Sequence, residues 1–98
     1  MEKSKPHCSL KVVKGLVAAE QVRMTASAVV GGELLGFNRQ AIIAIVAQLK
    51  PSDFYKSMTT HGDHRIWQDV YHPSTPAGSV YLKLIVIDDL LIVSFKEL

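Results

Sequence analysis

Two long segments near the end of the chain, each rich in β-branched and aromatic residues, are separated by only two residues. The segments are Gly78–Ile87 and Leu90–Glu97, and Asp88-Asp89 lies between them. Such a short connection is typical of a β-hairpin, and aspartate tolerates the left-handed backbone conformation that tight turns require. The sequence therefore predicts an antiparallel hairpin, and the loop length decides which side chains lie opposite one another.

A two-residue loop gives this hairpin one face that is polar at its open end and apolar near the turn. The expected pairs are Tyr81–Lys96, Lys83–Ser94, Ile85–Ile92 and Ile87–Leu90. The residues expected on the other face, buried under helices, are Leu82, Leu84, Val86, Leu91, Val93 and Phe95. A four-residue loop keeps this pairing, whereas a three-residue loop breaks it. Since opposed side chains can act on one ligand, the open end is a candidate anion or phosphate site.

The composition indicates one domain covering residues 1–98. Hydrophobic residues make up 48% of the chain, which is ample for a single core, and the net charge of +2 permits an anionic partner without requiring one. The single cysteine, Cys8, excludes an internal disulfide and is typical of a reducing compartment. No apolar segment has signal-peptide or membrane-spanning length. We therefore expect a soluble, cytoplasmic protein with no membrane association.

Hydrophobic spacing predicts helices in the first half of the chain and strands in the second. The expected helices are Ser9–Gln21 with Ser9 as N-cap, Thr25–Leu35 interrupted by Gly31-Gly32, and Asn38–Leu49 with Asn38 as N-cap. The expected strands before the hairpin are Tyr55–Thr60 and Ile66–His72, followed by a loop at Pro73–Ala77. Helices followed by strands indicate an α+β fold, with the N-terminal helices packed on one face of a mainly antiparallel β-sheet.

Gln68 adds a third polar residue to the polar face of the hairpin. If Ile66–His72 pairs antiparallel with the first hairpin strand, an odd-sum register places Gln68 opposite Lys83 and beside Tyr81. An even-sum register buries the amide in the core, which is unfavourable without a partner. We therefore expect Gln68 and Tyr81 to converge with the lysine at the end of the hairpin. Trp67 then falls on the opposite face and is interpreted as a core residue rather than a base-stacking platform.

Four sequence blocks closely resemble the MqsR family of bacterial toxins in their order and spacing. They are DFYKSMTT (Asp53–Thr60), IWQDVYHP (Ile66–Pro73), GSVYLK (Gly78–Lys83) and DDLLIVSFKE (Asp88–Glu97), and the likeness extends over the whole chain. The resemblance implies a type II toxin–antitoxin endoribonuclease with a fold similar to the RelE and YoeB toxins. Such toxins cut mRNA at short GC-containing sites without the ribosome and cause growth arrest, linked with stress tolerance and biofilm formation.

The resemblance also implies partners and site residues. The partners are the mRNA substrate and an MqsA-like antitoxin with a zinc-binding domain and a helix-turn-helix DNA-binding domain; no cofactor and no direct DNA binding by this chain are expected. Three of the implied active-site residues are those that strand pairing brings together, and Lys56 comes from the resemblance alone. The complete implied active-site set is Lys56, Gln68, Tyr81 and Lys96. Lys83, His72 and Tyr55 are candidate RNA-binding residues.

His72 departs from the family pattern, which more often has arginine at this position. Arginine holds a phosphate at two points and stays charged, whereas histidine is charged only at lower pH. RNA affinity or its pH dependence can therefore differ from that of the family.

Metal-free RNA cleavage requires a base for the ribose 2′-hydroxyl, an acid for the leaving 5′-oxygen, and positive charge beside the phosphorane. Clustered ammonium groups lower one another's pKa, so one lysine of the cluster can serve as the base. We assign Lys56 to base catalysis or phosphorane stabilisation and Lys96 to phosphorane stabilisation. Tyr81 orients the phosphate or transfers a proton, and Gln68 positions the phosphate or ribose.

Other functions remain open from the sequence. His61-Gly-Asp-His64 has the spacing of two metal ligands, with His72 and His7 as possible additions, and the same histidines could act as an acid–base pair. Chelator sensitivity, or loss of activity in His61→Ala and His64→Ala, would distinguish these sites from the lysine–tyrosine site. The third alternative is a non-catalytic regulatory module that binds protein or nucleic acid through the polar face.

Overall fold

Three helices lie on one face of a seven-stranded sheet in the computed structural model, which describes all residues from 1 to 98. The helices are α1 (Leu10–Ala18), α2 (Ala26–Leu34) and α3 (Arg39–Ala47), and a 3₁₀ turn follows at Pro51–Asp53. The strands are β1 (Glu2–Lys3), β2 (Val22–Met24), β3 (Phe54–Thr59), β4 (Trp67–Tyr71), β5 (Ser74–Thr75), β6 (Gly78–Ile87) and β7 (Asp89–Glu97). The predicted α+β class is confirmed.

Each helix begins after the capping residue that starts its predicted segment. The side chains of Ser9, Thr25 and Asn38 each accept a hydrogen bond from a backbone N–H three residues ahead, at 3.3, 3.1 and 2.9 Å. These bonds satisfy donors that the first turn of a helix leaves unpaired. The three predicted helices are therefore confirmed, with C-terminal ends one to three residues earlier than expected.

The sheet is mainly antiparallel, as predicted, in the order β1-β3-β4-β6-β7-β2, and β5 pairs with β6. Only β2 runs parallel to its neighbour, which is β7. The sequence did not predict β1 and β2, because segments of two and three residues are too short for a periodic pattern, and it placed β5 in a loop. Both unpredicted strands β1 and β2 lie at the sheet edges, so the central strands are the ones that the sequence indicated.

The core lies between the helices and one face of the sheet. Its helical residues include Val13 from α1, Ala28 from α2 and Val46 from α3, all at most 1% exposed. Helix α2 packs most closely, because a Cβ on Gly31 would overlap the carbonyl oxygen of Phe95 in β7. The two glycines that weaken α2 as an isolated helix therefore let its backbone approach the sheet.

The turn of the β6–β7 hairpin differs from the predicted two-residue loop. Asp88 has the expected left-handed conformation, with φ of 65°. However, Ile87 pairs with Asp89, and Val86 pairs with Leu90, so the loop between this last pair contains three residues. A loop of this length shifts the register near the turn by one residue.

A β-bulge at Val93 then restores the predicted pairing at the open end. Ile92 lies opposite Leu84 and Ser94 opposite Lys83, so Val93 is an extra residue on β7. The Val93 carbonyl accepts a hydrogen bond of 2.7 Å from the hydroxyl of the α2 N-cap, Thr25. The loop and the bulge cancel, and Tyr81–Lys96 and Lys83–Ser94 pair as predicted.

Between the loop and the bulge the predictions were wrong. The expected pairs Ile85–Ile92 and Ile87–Leu90 do not form, since Ile85 pairs with Leu91. The shift also exchanges the faces of β7, because one residue of slip turns every side chain over. Leu90 and Ile92 are fully buried in the core, whereas Leu91 and Val93, which we expected there, are only partly buried.

No single helix is long and apolar enough to cross a membrane; α2 and α3 reach that length and apolarity only together, and their axes meet at 94°.

Candidate active site

The face of the sheet away from the helices carries two adjacent rows of side chains. The first row crosses β3, β4, β6 and β7 through the successive pairs Lys56–Val70, Val70–Lys83 and Lys83–Ser94. Val70 is fully buried although no helix covers this face. Lys56 and Lys83 lie directly opposite Val70 on the two neighbouring strands, and lysine stems commonly cover apolar surface while the ammonium group stays in solvent.

The second row is a series of rings that ends at a lysine. Tyr55 is an extra residue in β3 and stacks on His72, with ring centroids 4.3 Å apart and planes at 20°. The His72 ring lies 6.0 Å from that of Tyr81, and its Nε2 is buried without a hydrogen-bond partner. Beyond Tyr81, the Nζ atoms of Lys96 and Lys83 lie 5.2 and 5.9 Å from the centre of its ring. The predicted RNA-binding residues thus adjoin the predicted active-site residues.

Gln68 lies on the same face but in a different register from the one predicted. The register is odd-sum as expected, yet Val70, not Gln68, lies opposite Lys83. Gln68 pairs with Met58 in β3 and retains 9% of its exposure. The predicted pairing of Gln68 with Lys83 was therefore wrong by two residues. A shift of two residues leaves Gln68 on the predicted face but places it one row further from Tyr81.

Lys56 forms an ion pair that the sequence analysis did not anticipate. Its Nζ donates a hydrogen bond of 2.8 Å to Oε2 of Glu2, on the edge strand β1. This bond is the main reason that the pKa of Lys56 lies above its usual value and that of Glu2 below. Lys56 therefore stays protonated, which favours a charge-stabilising role over that of a base.

Lys83 is the lysine of the site whose pKa falls. Partial burial is the first cause and the nearby charge of Lys96 the second. The pKa of Tyr81 rises, because burial outweighs the opposing effect of Lys56, so its phenol stays protonated. The site thus combines an ammonium held by an ion pair, a phenol that keeps its proton, and one lysine whose pKa is lowered.

The sequence analysis missed Asp69, which holds the N-terminal segment against the sheet. This carboxylate is 5% exposed and accepts hydrogen bonds from the backbone N–H groups of His7 and Cys8, at 2.9 and 3.0 Å. It therefore helps to place β1, and with it Glu2. Its position on the same strand face as Trp67 and Tyr71, the face directed towards the core, is the signal that could have indicated a structural carboxylate.

Trp67 lies on the helix-bearing side of the sheet, as predicted, but it is not a core residue. It is half-buried, lies outside the core cluster, and stacks on His7 with ring centroids 5.6 Å apart. The Nζ of Lys3 lies 4.0 Å from the centre of its ring. The tryptophan therefore packs on the N-terminal segment and not on the helices of the core cluster.

The two rows form an open surface rather than a cavity. Three clefts are present, and none is lined by Tyr81, Lys83 or Lys96. His61 and His64 line a cleft at the β1–β3 edge, outside the two rows. No three histidine, cysteine, aspartate or glutamate side chains are grouped to hold a metal ion.

Comparison with known proteins identifies the family. Residues 5–97 match the family described as "Motility quorum-sensing regulator, toxin of MqsA". The chain belongs to the MqsR toxin family. A relative from Escherichia coli (strain K12), named mRNA interferase toxin MqsR, is 55% identical over 97 residues, which is 99% of each chain. The resemblance inferred from the four sequence blocks is therefore confirmed.

Proposed function

We propose that this protein is an mRNA-cleaving toxin: a sequence-specific endoribonuclease that needs neither ribosome nor metal and arrests growth by cutting mRNA at short GC-containing sites. The observation that carries the proposal is the convergence of Lys56, Tyr81, Lys83 and Lys96 on one open face. The name of the Escherichia coli relative, an mRNA interferase, supports the same reaction. We infer a RelE/YoeB-like fold and a cytoplasmic location, where mRNA is available.

The shape of the site suits a polymer. Small-molecule sites are usually concave and enclose most of the ligand. Here cations and aromatic rings lie on an exposed sheet face, an arrangement that can bind successive phosphates and stack unpaired bases. The row Tyr55–His72–Tyr81 provides the rings, and the lysines on either side provide the charge.

The chemistry follows from the protonation states of the site. The ribose 2′-hydroxyl attacks the adjacent phosphate, and the phosphorane carries extra negative charge. Lys56 and Lys96, as ammonium groups, stabilise that charge, and protonated Tyr81 supplies a proton to the leaving 5′-oxygen. Gln68 positions the phosphate or ribose as an uncharged donor and acceptor.

The proposed partner besides mRNA is an antitoxin of the MqsA type, with a zinc-binding domain and a helix-turn-helix domain. The family description, toxin of MqsA, supports this assignment. DNA binding then belongs to the antitoxin and not to this chain. Addition of the cognate antitoxin to the cleavage reaction below should abolish cutting, and unchanged cutting at antitoxin excess would argue against this partnership.

The first experiment incubates purified protein with a defined mRNA, without ribosomes and with excess chelator, and maps the cleaved ends. We expect discrete cuts at GC-containing sites, and a loss of about 100-fold or more in rate for Lys56→Ala. Lys50→Ala, a lysine exposed elsewhere on the surface, is the matched control and should cut normally. Intact RNA with folded wild-type protein would reject metal-independent cleavage, and cutting by Lys56→Ala at the wild-type rate would reject the site.

A further inference from the structure

The reaction needs a base for the 2′-hydroxyl, and Lys56 is poorly suited to that role because Glu2 holds its proton in place. We propose that Lys83 is the catalytic base that removes the proton from the 2′-hydroxyl of the RNA. The inference rests on the proposed ribonuclease function and deepens it by assigning one step.

The position of Lys83 is the first argument. It lies on β6 in the middle of the open face, with Val70 directly across on one side and Ser94 on the other. Lys56 lies beyond Val70 on β3, and Lys96 lies on the neighbouring strand β7. Lys83 therefore occupies the centre of the surface on which the other proposed groups converge.

The second argument is that the Lys83 ammonium has no partner. It makes no hydrogen bond and no ion pair, and its closest described polar surroundings are the ring of Tyr81 at 5.9 Å and the charge of Lys96. The carboxylates on this face are engaged elsewhere, since Glu2 pairs with Lys56 and Asp89 with Arg23. No carboxylate or hydrogen-bond acceptor therefore holds the charged form of Lys83, and the Tyr81 ring at 5.9 Å is its one cation–π contact.

The partial burial of Lys83 is the third argument, because it also lowers the pKa of this lysine. Lys83 is half-buried, and the titratable groups around it on the same face of the sheet include Tyr81, His72, Lys96 and, on β3, Lys56 with its partner Glu2. Asp69, Tyr71 and Glu97 of the adjoining strands lie on the opposite face, and Asp89 near the turn is paired with Arg23. Desolvation and Lys96 lower the pKa of Lys83, so a larger fraction of the neutral amine is present near neutral pH than for an exposed lysine. A neutral amine is the form that can accept a proton.

The proton and bond changes balance as follows. The neutral Nζ of Lys83 accepts the 2′-hydroxyl proton, while the 2′-oxygen bonds to phosphorus and the bond from phosphorus to the 5′-oxygen breaks. The 5′-oxygen takes the proton of the Tyr81 phenol. Lys83 then releases its proton to solvent and Tyr81 regains one, which leaves a 2′,3′-cyclic phosphate and a 5′-hydroxyl as products.

Lys83→Arg tests the assignment, because arginine keeps the positive charge but cannot act as a base near neutral pH. Single-turnover cleavage of the normal RNA is measured from pH 6 to pH 9. Binding is measured over the same range with an RNA that has a 2′-deoxy sugar at the cut site. We expect binding within about threefold of wild type, a rate at least about 100-fold lower, and loss of the rise in rate with pH. The control is Lys11→Arg, at an exposed lysine of α1.

Lys83→Ala with an added small primary amine provides a second readout that does not depend on the fit of arginine. If Lys83 is the base, the rescued rate follows the concentration of free amine as pH is varied at constant total amine. Rescue that follows the ammonium form, or a Lys83→Arg variant that cleaves like wild type, would overturn the inference and leave Lys83 as a phosphate contact. Failure of the proposed function itself is distinguishable, because wild-type protein in the same assay would then leave the RNA intact.

Discussion

At the scale of single residues, the site depends on which cation is paired and which is not. Lys56 and Lys83 flank the same buried valine, yet one donates to Glu2 at 2.8 Å and the other has no partner. The bond to Glu2 is the main cause that raises the pKa of Lys56, whereas burial and then the charge of Lys96 lower the pKa of Lys83. Two identical side chains in the same row, two strands apart, therefore differ in how strongly they hold a proton.

Glu2→Gln should strengthen RNA binding, because the carboxylate competes with phosphate for the Lys56 ammonium. The expected change for a 2′-deoxy RNA is a dissociation constant about two- to fivefold lower, the range of an exposed ion pair. The slope of log affinity against log salt should steepen by about 0.7, the value for one further phosphate contact on a single strand. The control is Glu33→Gln, which replaces an exposed glutamate on α2 and removes the same negative charge.

An unchanged dissociation constant and salt slope in Glu2→Gln would mean that phosphate already displaces the carboxylate at no measurable cost. The ion pair would then have no influence on RNA binding.

At the scale of elements, the placement of Lys96 depends on how β7 is held. A bulge at Val93 restores its register with β6, and the α2 N-cap Thr25 bonds to the carbonyl of that bulge residue. Further along the same helix, Gly31 allows α2 to approach the backbone of Phe95, directly before Lys96. Helix α2 therefore supports the strand that presents one of the proposed cations.

Gly31→Ala should destabilise the protein by about 2 kcal/mol, because the added methyl group collides with a backbone carbonyl that cannot move aside cheaply. Gly15→Ala is the matched control, since it lies in α1 with open space around the site of the new methyl group. It should stabilise by about 0.5–1 kcal/mol, the usual helical preference for alanine. Urea unfolding of the two variants measures both changes.

Cleavage by Gly31→Ala should also fall at temperatures where the variant is fully folded, because displacement of Phe95 moves Lys96. Equal unfolding midpoints for the two glycine variants would contradict the close approach of α2 to β7.

At the scale of the whole molecule, the two faces of the sheet differ in composition and in what covers them. The helix-covered face provides the core, and the open face carries the proposed cations and rings. Tyr71 belongs to the first face: it is fully buried against the core, and its hydroxyl has no hydrogen-bond partner. The next residue, His72, lies on the other face, where its ring is next to those of Tyr55 and Tyr81.

The stability of the whole fold should depend on Tyr71 at alkaline pH. Burial is the main cause that raises the pKa of its phenol in the folded state, so its contribution is full below the unfolded pKa of about 10 and is lost as pH rises through the folded value. At pH 7, the thermal stability of Tyr71→Phe should equal that of wild type or be slightly higher. When the pH rises to 11, the variant should lose less stability than wild type. A clear loss of stability at pH 7 would indicate that the hydroxyl is hydrogen-bonded after all.

Much of the fold was predictable because its signals are local. Three capping residues set the helix starts, and the period-two segments set the central strands. The pairing of Tyr81 with Lys96 was also predicted, although for an incomplete reason, since the three-residue loop alone would have broken it. The bulge at Val93 that compensates depends on contact with α2, a partner distant in sequence.

The sequence by itself therefore determined which segments form the helices and the central strands, and through four sequence blocks it indicated the family. The tertiary structure decided the protonation tendencies of the site, because these depend on groups brought together from distant parts of the chain. Glu2 reaches Lys56 only because β1 pairs with β3, and Lys83 loses solvent only at the centre of the assembled sheet. Local sequence patterns are enough to indicate the elements and the family, whereas desolvation and long-range ion pairing arise only on folding.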